Sequence, residues 1–256
     1  MRFKSLLLSA ASVAVMGGAS QAQAGPFYIS MFGGVNLLSN KSASTHYTSR
    51  TSFRNVTTFT HTGTISEKSR TGFVLGGAVG VQLTNWVDGL RAELEASYRR
   101  NHIHGNWNTH ITTHFHSGGE GSRSTTREAQ GTLLGHMSTF AIMANVWYDI
   151  DIGSKLKPYV GGGAGWARSR LEFVAMTTTF NTSSNSFANE RSGFAYQLGL
   201  GANYEIMRDT SIGIGYRYFR GPDVNIFFEG KFGTTIPIKF RNEDQSVDVS
   251  LTIGID

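Results

Sequence analysis

Apolar and polar residues alternate without interruption from Leu90 to Tyr98. Leu90, Ala92, Leu94, Ala96 and Tyr98 share one side of an extended chain, and Arg91, Glu93, Glu95 and Ser97 share the other. Strand side chains repeat every two residues, so the two sets occupy opposite faces. The same division recurs downstream and upstream. Phe73, Leu75, Val79, Val81 and Leu83 oppose Val74, Gly76, Ala78, Gly80 and Gln82. Phe194, Tyr196, Leu198, Leu200, Tyr204 and Ile206 oppose Ala195, Gln197, Gly199, Gly201, Asn203 and Glu205. Val247, Val249, Leu251, Ile253 and Ile255 oppose Asp248, Ser250, Thr252, Gly254 and Asp256. The pattern predicts eight strands, near 26–38, 70–84, 89–100, 134–150, 156–173, 192–206, 210–220 and 246–256.

The connections alternate in length. Asn85–Asp88, Asp151–Lys155 and Met207–Asp209 are short, whereas 39–69, 101–133, 174–191 and 221–245 are long and rich in Ser, Thr, Asn and Gly. Tight turns on one rim and long loops on the other are what a transmembrane barrel shows. The expected fold is therefore all-β: an eight-stranded antiparallel up-and-down transmembrane β-barrel with long extracellular loops and short periplasmic turns. In lipid the large apolar face points out, because an Arg at the bilayer midplane costs roughly 2–4 kcal/mol. The small residues then fill an interior that is just wide enough for side chains. A soluble barrel would invert the faces and show water a surface of mostly Gly, Ala and Ser.

The N-terminus supports export. Arg2 and Lys4 precede an apolar run, Leu6–Met16, and Ala22-Gln23-Ala24 forms a small-x-small cleavage site. Residues 1–24 read as a cleaved secretory signal peptide, and 25–256 as the barrel. The chain has no cysteine, which fits an oxidising compartment entered without a disulfide framework. Its hydropathy is only −0.19, yet alternating barrels escape hydropathy windows. The leader supplies two of the five net positive charges, so the basic pI needs no nucleic acid to explain it.

Three segments carry a family resemblance. Phe27-Tyr28-Ile29-Ser30-Met31-Phe32-Gly33-Gly34 resembles the opening strand of the outer membrane protein β-barrel domain family. Lys157–Trp166 is similar to its Pro-Tyr-Val-Gly-x-Gly-x-Gly fifth strand, and Ile214–Tyr218 to its Gly-Tyr-Arg-Tyr seventh. The resemblance spans 25–256 and implies an eight-stranded, OmpA-like or opacity-protein-like barrel in the bacterial outer membrane. Such barrels serve as surface antigens, adhesins, small pores and membrane scaffolds, so the resemblance is specific for fold and not for activity. Their last residue is usually an aromatic read by the barrel-assembly machinery, whereas this chain ends Ile253-Gly254-Ile255-Asp256 without a downstream periplasmic domain.

Four groups of residues bear on function. Arg91, Glu93, Glu95, Arg99, Glu205, Arg217 and Asp248 project inward in this register and are expected to form a lumen charge network, with Arg217 paired to Glu93 or Glu95. Confined charges must pair, so the network predicts a plugged lumen. Lys68, Arg70, Arg100, Arg168, Arg170, Arg191, Arg220, Lys239 and Arg241 gather at strand ends on the long-loop side. Their guanidinium forks and ammonium groups suit the phosphates of lipopolysaccharide, or simply snorkel at the interface. His102, His104, His114 and His116 form two i, i+2 pairs that are weak metal candidates in an otherwise polar loop. An enzyme acting on lipid A would need a Ser/His/acid set at the rim; His136 and Ser138 share a face and Glu172 lies on another strand, but no known motif joins them. The expected function is a monomeric, non-enzymatic outer-membrane barrel without cofactor or metal. It is expected to stabilise the envelope and to display its loops as an antigen or adhesin toward a host or surface ligand. A small porin-like channel is the alternative, and a lipid A-modifying enzyme comes third.

Overall fold

The computed structural model describes residues 27–38, 57–69, 71–115, 123–177, 183–229 and 235–255. Residues 1–26, which include the expected signal peptide, lie outside the described residues with Arg70 and His116, as do the side chains of Lys68 and His114. The described residues form eleven strands: β1 (Phe27–Leu38), β2 (Thr57–Ser69), β3 (Gly72–Gln82), β4 (Leu90–Phe115), β5 (Arg123–Asp149), β6 (Leu156–Thr177), β7 (Ser183–Met207), β8 (Thr210–Arg220), β9 (Val224–Glu229), β10 (Thr235–Phe240) and β11 (Glu243–Ile255).

Eight of them close a ring. The order β4-β3-β1-β11-β8-β7-β6-β5 is completed by pairing of β4 with β5, and every pair is antiparallel. Phe27 pairs with Ile255, so the first and last described residues of the ring stand together on the short-turn rim. Outward positions are apolar through this ring, among them Leu75, Leu94, Ile142, Trp166, Leu198, Ile214 and Val249. Inward positions are small or polar at many places, but large aromatics, among them Tyr28, Phe32, Trp147, Tyr159 and Phe219, also point inside.

The inward glycines are sockets for aromatic rings on neighbouring strands. A Cβ on Gly76 would meet the Phe32 ring at 2.4 Å, one on Gly80 the Tyr28 ring at 2.3 Å, and one on Gly201 the Tyr159 ring at 2.6 Å. An eight-stranded interior has no other room for these rings. At the short-turn rim Gly89 adopts φ +83° and packs against the Asp149 carbonyl, which together require glycine.

The structure corrects the loop boundaries. β4 and β5 do not stop near 100 and 134 but run as a paired hairpin to Phe115 and from Arg123. β6 and β7 extend to Thr177 and from Ser183, and β2 continues the line of β3 along the upper part of β4. The segment 221–245 contains a hairpin of its own, β9–β10. These arms lack the large outward apolar face because water, not lipid, surrounds them. Their alternation is therefore polar against small or apolar, and it resembles loop composition.

Candidate functional site

The interior is filled in layers. Nearest the short-turn rim, Tyr28 Oη and Trp147 Nε1 donate to the Glu93 carboxylate at 2.7 and 2.8 Å. Arg91 contacts Glu93 at 3.0 Å and Asp149 at 2.7 Å, so one guanidinium binds two carboxylates. In the middle layer Arg217 Nη1 donates to Glu95 Oε2 at 2.8 Å, and its Nε stands 3.2 Å from Asp248. Asn145 and Gln197 both donate to the same Glu95 oxygen at 2.9 Å. The guanidinium carbon of Arg217 lies 4.0 Å from the centroid of the Phe32 ring. Above it Arg99 donates to Ser97 at 2.8 Å and stacks on Phe219 at 3.9 Å. Such stacking suits the weakly hydrated guanidinium plane.

A lattice of uncharged side chains around the Asp244 carboxylate follows. Asn101 donates to Asp244 at 3.1 Å, and Asn242 to Thr139 and Ser169 at 3.0 and 2.7 Å. Beyond it the interior becomes apolar. Ile103, Leu133, Met137, Leu171 and Phe173 from the arms pack with Val224 and Phe240 at the two ends of the β9–β10 hairpin. The hairpin leans on β7, where Asn189 Nδ2 donates to the Asn225 carbonyl. Its base is tied by Asp223, which accepts contacts from Arg220 at 2.6 Å and Lys239 at 3.0 Å. Burial pushes the Asp223 carboxyl up, but hydrogen bonds from Lys239 and Arg220 outweigh it and hold the group below its ordinary value.

A cavity of about 280 Å³ opens at the short-turn rim, lined in part by Tyr28, Arg91, Asp149, Lys157, Glu205 and Thr252. It leads past Arg91, Asn203 and Thr252 to a void of only about 20 Å³, below the Arg217 layer. That void holds about one water molecule.

Six of the seven expected lumen residues thus enter the layers, with Glu95 rather than Glu93 as the partner of Arg217. Glu205 stands apart at the short-turn rim, 4.0 Å from Lys157. Several interior partners escaped the sequence reading: Tyr28, Asn145, Trp147, Asp149, Phe219 and Asp244. Strand parity could have found them, since each lies an even number of residues from an inward neighbour. The large inward aromatics were hidden by the expectation that inward means small.

The rim cations divide into two groups. Arg168 pairs with Glu190 and Arg170 with Glu172, both at 2.5 Å, and Arg220 and Lys239 share Asp223. Arg100, Arg191 and Arg241 make no ion pair among the described residues. His102 faces outward opposite His136, and His104 opposite Leu134. Among the described residues no three His, Asp or Glu side chains converge to hold a metal ion.

The Outer membrane protein beta-barrel domain family matches residues 5–234. An outer membrane protein of Gluconacetobacter diazotrophicus is 31% identical over 215 residues, covering 80% of this chain and 49% of its own. Outer membrane protein PagN of Salmonella typhimurium is 28% identical over 90 residues, covering 35% of this chain and 36% of its own. The chain therefore spans about half the length of the first relative and about a third of the second. Among solved structures, Neisserial surface protein A aligns with a TM-score of 0.49 at 14% identity, over 89% of this chain and 96% of that one. The attachment invasion locus protein Ail of Yersinia pestis aligns at 0.39 and 12%, over 90% and 99%. A family match over nearly the whole length, on a ring of eight antiparallel strands with a lipid-facing apolar exterior, leads to one conclusion: the chain belongs to the outer membrane protein β-barrel domain family and resides in the bacterial outer membrane.

Proposed function

We propose that the protein is a sealed, surface-displayed barrel that reinforces the outer membrane and works through its outer rim and loops. The observation that carries this reading is the double closure of the lumen. The Arg217–Glu95–Asp248 layer blocks the membrane-embedded half, and the apolar cluster under the β9–β10 hairpin blocks the extracellular half. A conducting path needs continuous polar, wet space, and neither closure leaves it. The vestibule at the periplasmic rim ends at the Arg217 layer.

The rim supports contact with lipopolysaccharide. Arg100 and Arg241 face outward and retain guanidinium forks free for phosphate oxygens, whereas the paired cations are partly neutralised. Arg191, expected at this collar, stands on the lumen-facing side of β7 opposite Ser169. The arms rise above this collar as paired strands, a stable platform for presenting variable tips to a surface ligand.

Planar bilayer recordings on the purified barrel test the sealed lumen. The expected result is little or no steady conductance. Large, stable single-channel currents from the wild-type protein would make the small-pore alternative correct.

A further inference from the structure

On the outer face of three adjacent strands, the register builds two short rows. Arg100, Ser138 and Arg170 are direct neighbours across β4, β5 and β6. One strand repeat farther from the membrane, His102, His136 and Glu172 are neighbours in the same way. All six face outward, because the intervening Arg99, Asn101, Met137, Thr139, Ser169 and Leu171 are buried inside. His136 Nε2 lies 2.9 Å from Glu172 Oε2. The other oxygen of Glu172 is held by Arg170 at 2.5 Å. The acid is thus fixed from one side and the imidazole from the other, which leaves His136 Nδ1 available on the outward surface. Ser138 follows His136 by two residues on the same face. Beside the serine, Arg100 carries an Nε that is shielded from solvent and has no hydrogen-bond partner.

We propose that Ser138, His136 and Glu172 form a hydrolytic site for ester-linked acyl amphiphiles of the outer leaflet. The site goes beyond the sealed-barrel reading and does not depend on the lumen. Its height argues for the substrate class. Toward the membrane from Ser138 the next outward positions on β5 are Phe140 and Ile142, both well exposed, and Trp166 pairs with Ile142 on β6. An acyl chain lying along this apolar stripe brings the ester that ends it to the level of Ser138. The guanidiniums of Arg100 and Arg170 flank that level and suit an anionic headgroup.

The chemistry balances with water as the only co-reactant. His136 Nδ1 takes the Ser138 proton as Oγ bonds to the ester carbonyl carbon. The oxyanion collapses, the C–O bond to the alcohol breaks, and His136 returns the proton to the departing oxygen. Water then attacks the acyl-serine with His136 as base, releasing a fatty acid and restoring the hydroxyl. Glu172 is the positioning residue: it holds the ring through Nε2–H and stabilises the imidazolium. Arg100 offers N–H to the oxyanion. The serine–imidazole hydrogen bond is the contact that substrate must close, as at other sites whose resting geometry is loose.

The test uses the full-length refolded barrel. Purified lipopolysaccharide is the substrate, and a fluorophosphonate is the covalent probe. Wild-type protein should release fatty acid and carry a probe adduct on the peptide containing Ser138. Ser138→Ala and His136→Asn should lower release on the order of 10²-fold or more. Glu172→Gln should retain some activity, with the limb of its pH–rate profile that reports the imidazole displaced. These substitutions lie outside both plugs, so an unchanged heat-shifted gel band verifies folding. If wild type and Ser138→Ala are equal in both labelling and release, the rows are only a polar collar and the proposal fails.

Discussion

The membrane ring and the arms above it are built from the same strands with opposite polarity. Along β4 the inward series runs Arg91, Glu93, Glu95, Ser97, Arg99, Asn101 and then Ile103. The outward series runs Leu94, Ala96, Tyr98 and then Arg100, His102 and His104. β6 makes the same change one strand repeat earlier in the register, from Trp166 to Arg168 outside and from Ser169 to Leu171 inside. The backbone does not register the change. What alters is the solvent, lipid below and water above, so the burial rule inverts within one continuous strand. The lower closure is made of ion pairs and the upper of apolar contacts, and they should fail differently.

The largest contrast is expected from Arg217→Ala. It leaves Glu95 and Asp248 buried without their cation, and removing one partner of a buried pair costs about 3–5 kcal/mol. Urea unfolding in detergent should show that loss for the whole barrel. A change below about 1 kcal/mol would mean that water or a proton replaces the guanidinium at little cost.

Phe173→Ala probes the upper closure. The ring contacts Phe187 and Phe240 and sits in the apolar cluster, so its deletion costs about 3–5 kcal/mol of local packing. The expected phenotype is tryptic cleavage near Lys239 and Arg241 while the heat-shifted band of the ring persists. Loss of the band together with the cap would show that the two regions unfold as one.

Acid should loosen the base of the hairpin. The folded Asp223 carboxyl is held below its ordinary value. Its contacts therefore stabilise the fold above the unfolded pKa, and that contribution is lost as the pH falls through the lower folded pKa. Protease sensitivity at Lys239 should rise only at pH below the ordinary aspartate range, and Asp223→Asn should be sensitive at neutral pH already. A wild type whose sensitivity begins near pH 6 would point to a different group.

The smallest effect concerns the collar. Arg100→Gln with Arg241→Gln should weaken thermal stabilisation by lipopolysaccharide more than Arg168→Gln, whose guanidinium is occupied by Glu190. All three should act within about 1 kcal/mol and fade with salt. Equal losses would remove the distinction between free and paired cations.

The alternation was legible wherever lipid selects it. The outward faces of β3, β7 and β11 follow from their residues one by one, and so does the inward placement of Arg91, Glu95 and Arg217. The arms were legible only in part. Tyr47 to Ile65 and His102 to His116 read as strand-like, and the described part of each does extend above the ring, but Thr, His and Asn on a water-facing strand also look like a loop. The β9–β10 hairpin was not legible. Val224, Ile226 and Phe228 alternate, as do Ile236, Ile238 and Phe240, but each run is only six residues long and sits among Gly, Thr and Asn, so the segment looks like a loop. Val224 and Phe240 find apolar partners only because β4, β5 and β6 rise high enough to meet them.

The sequence by itself determined the strand period, the eight-strand count, the lipid-facing side and the need for interior charges to pair, because each depends on residue type and a spacing of two. Tertiary structure alone decided which charges met. Glu95 rather than Glu93 receives Arg217 because the stagger of a closed ring sets which strands face each other across the lumen at each height. The same stagger brought Glu172 to His136, thirty-six residues away, on the outer face. Period is a local property of the chain, whereas cross-strand proximity exists only once the barrel has closed.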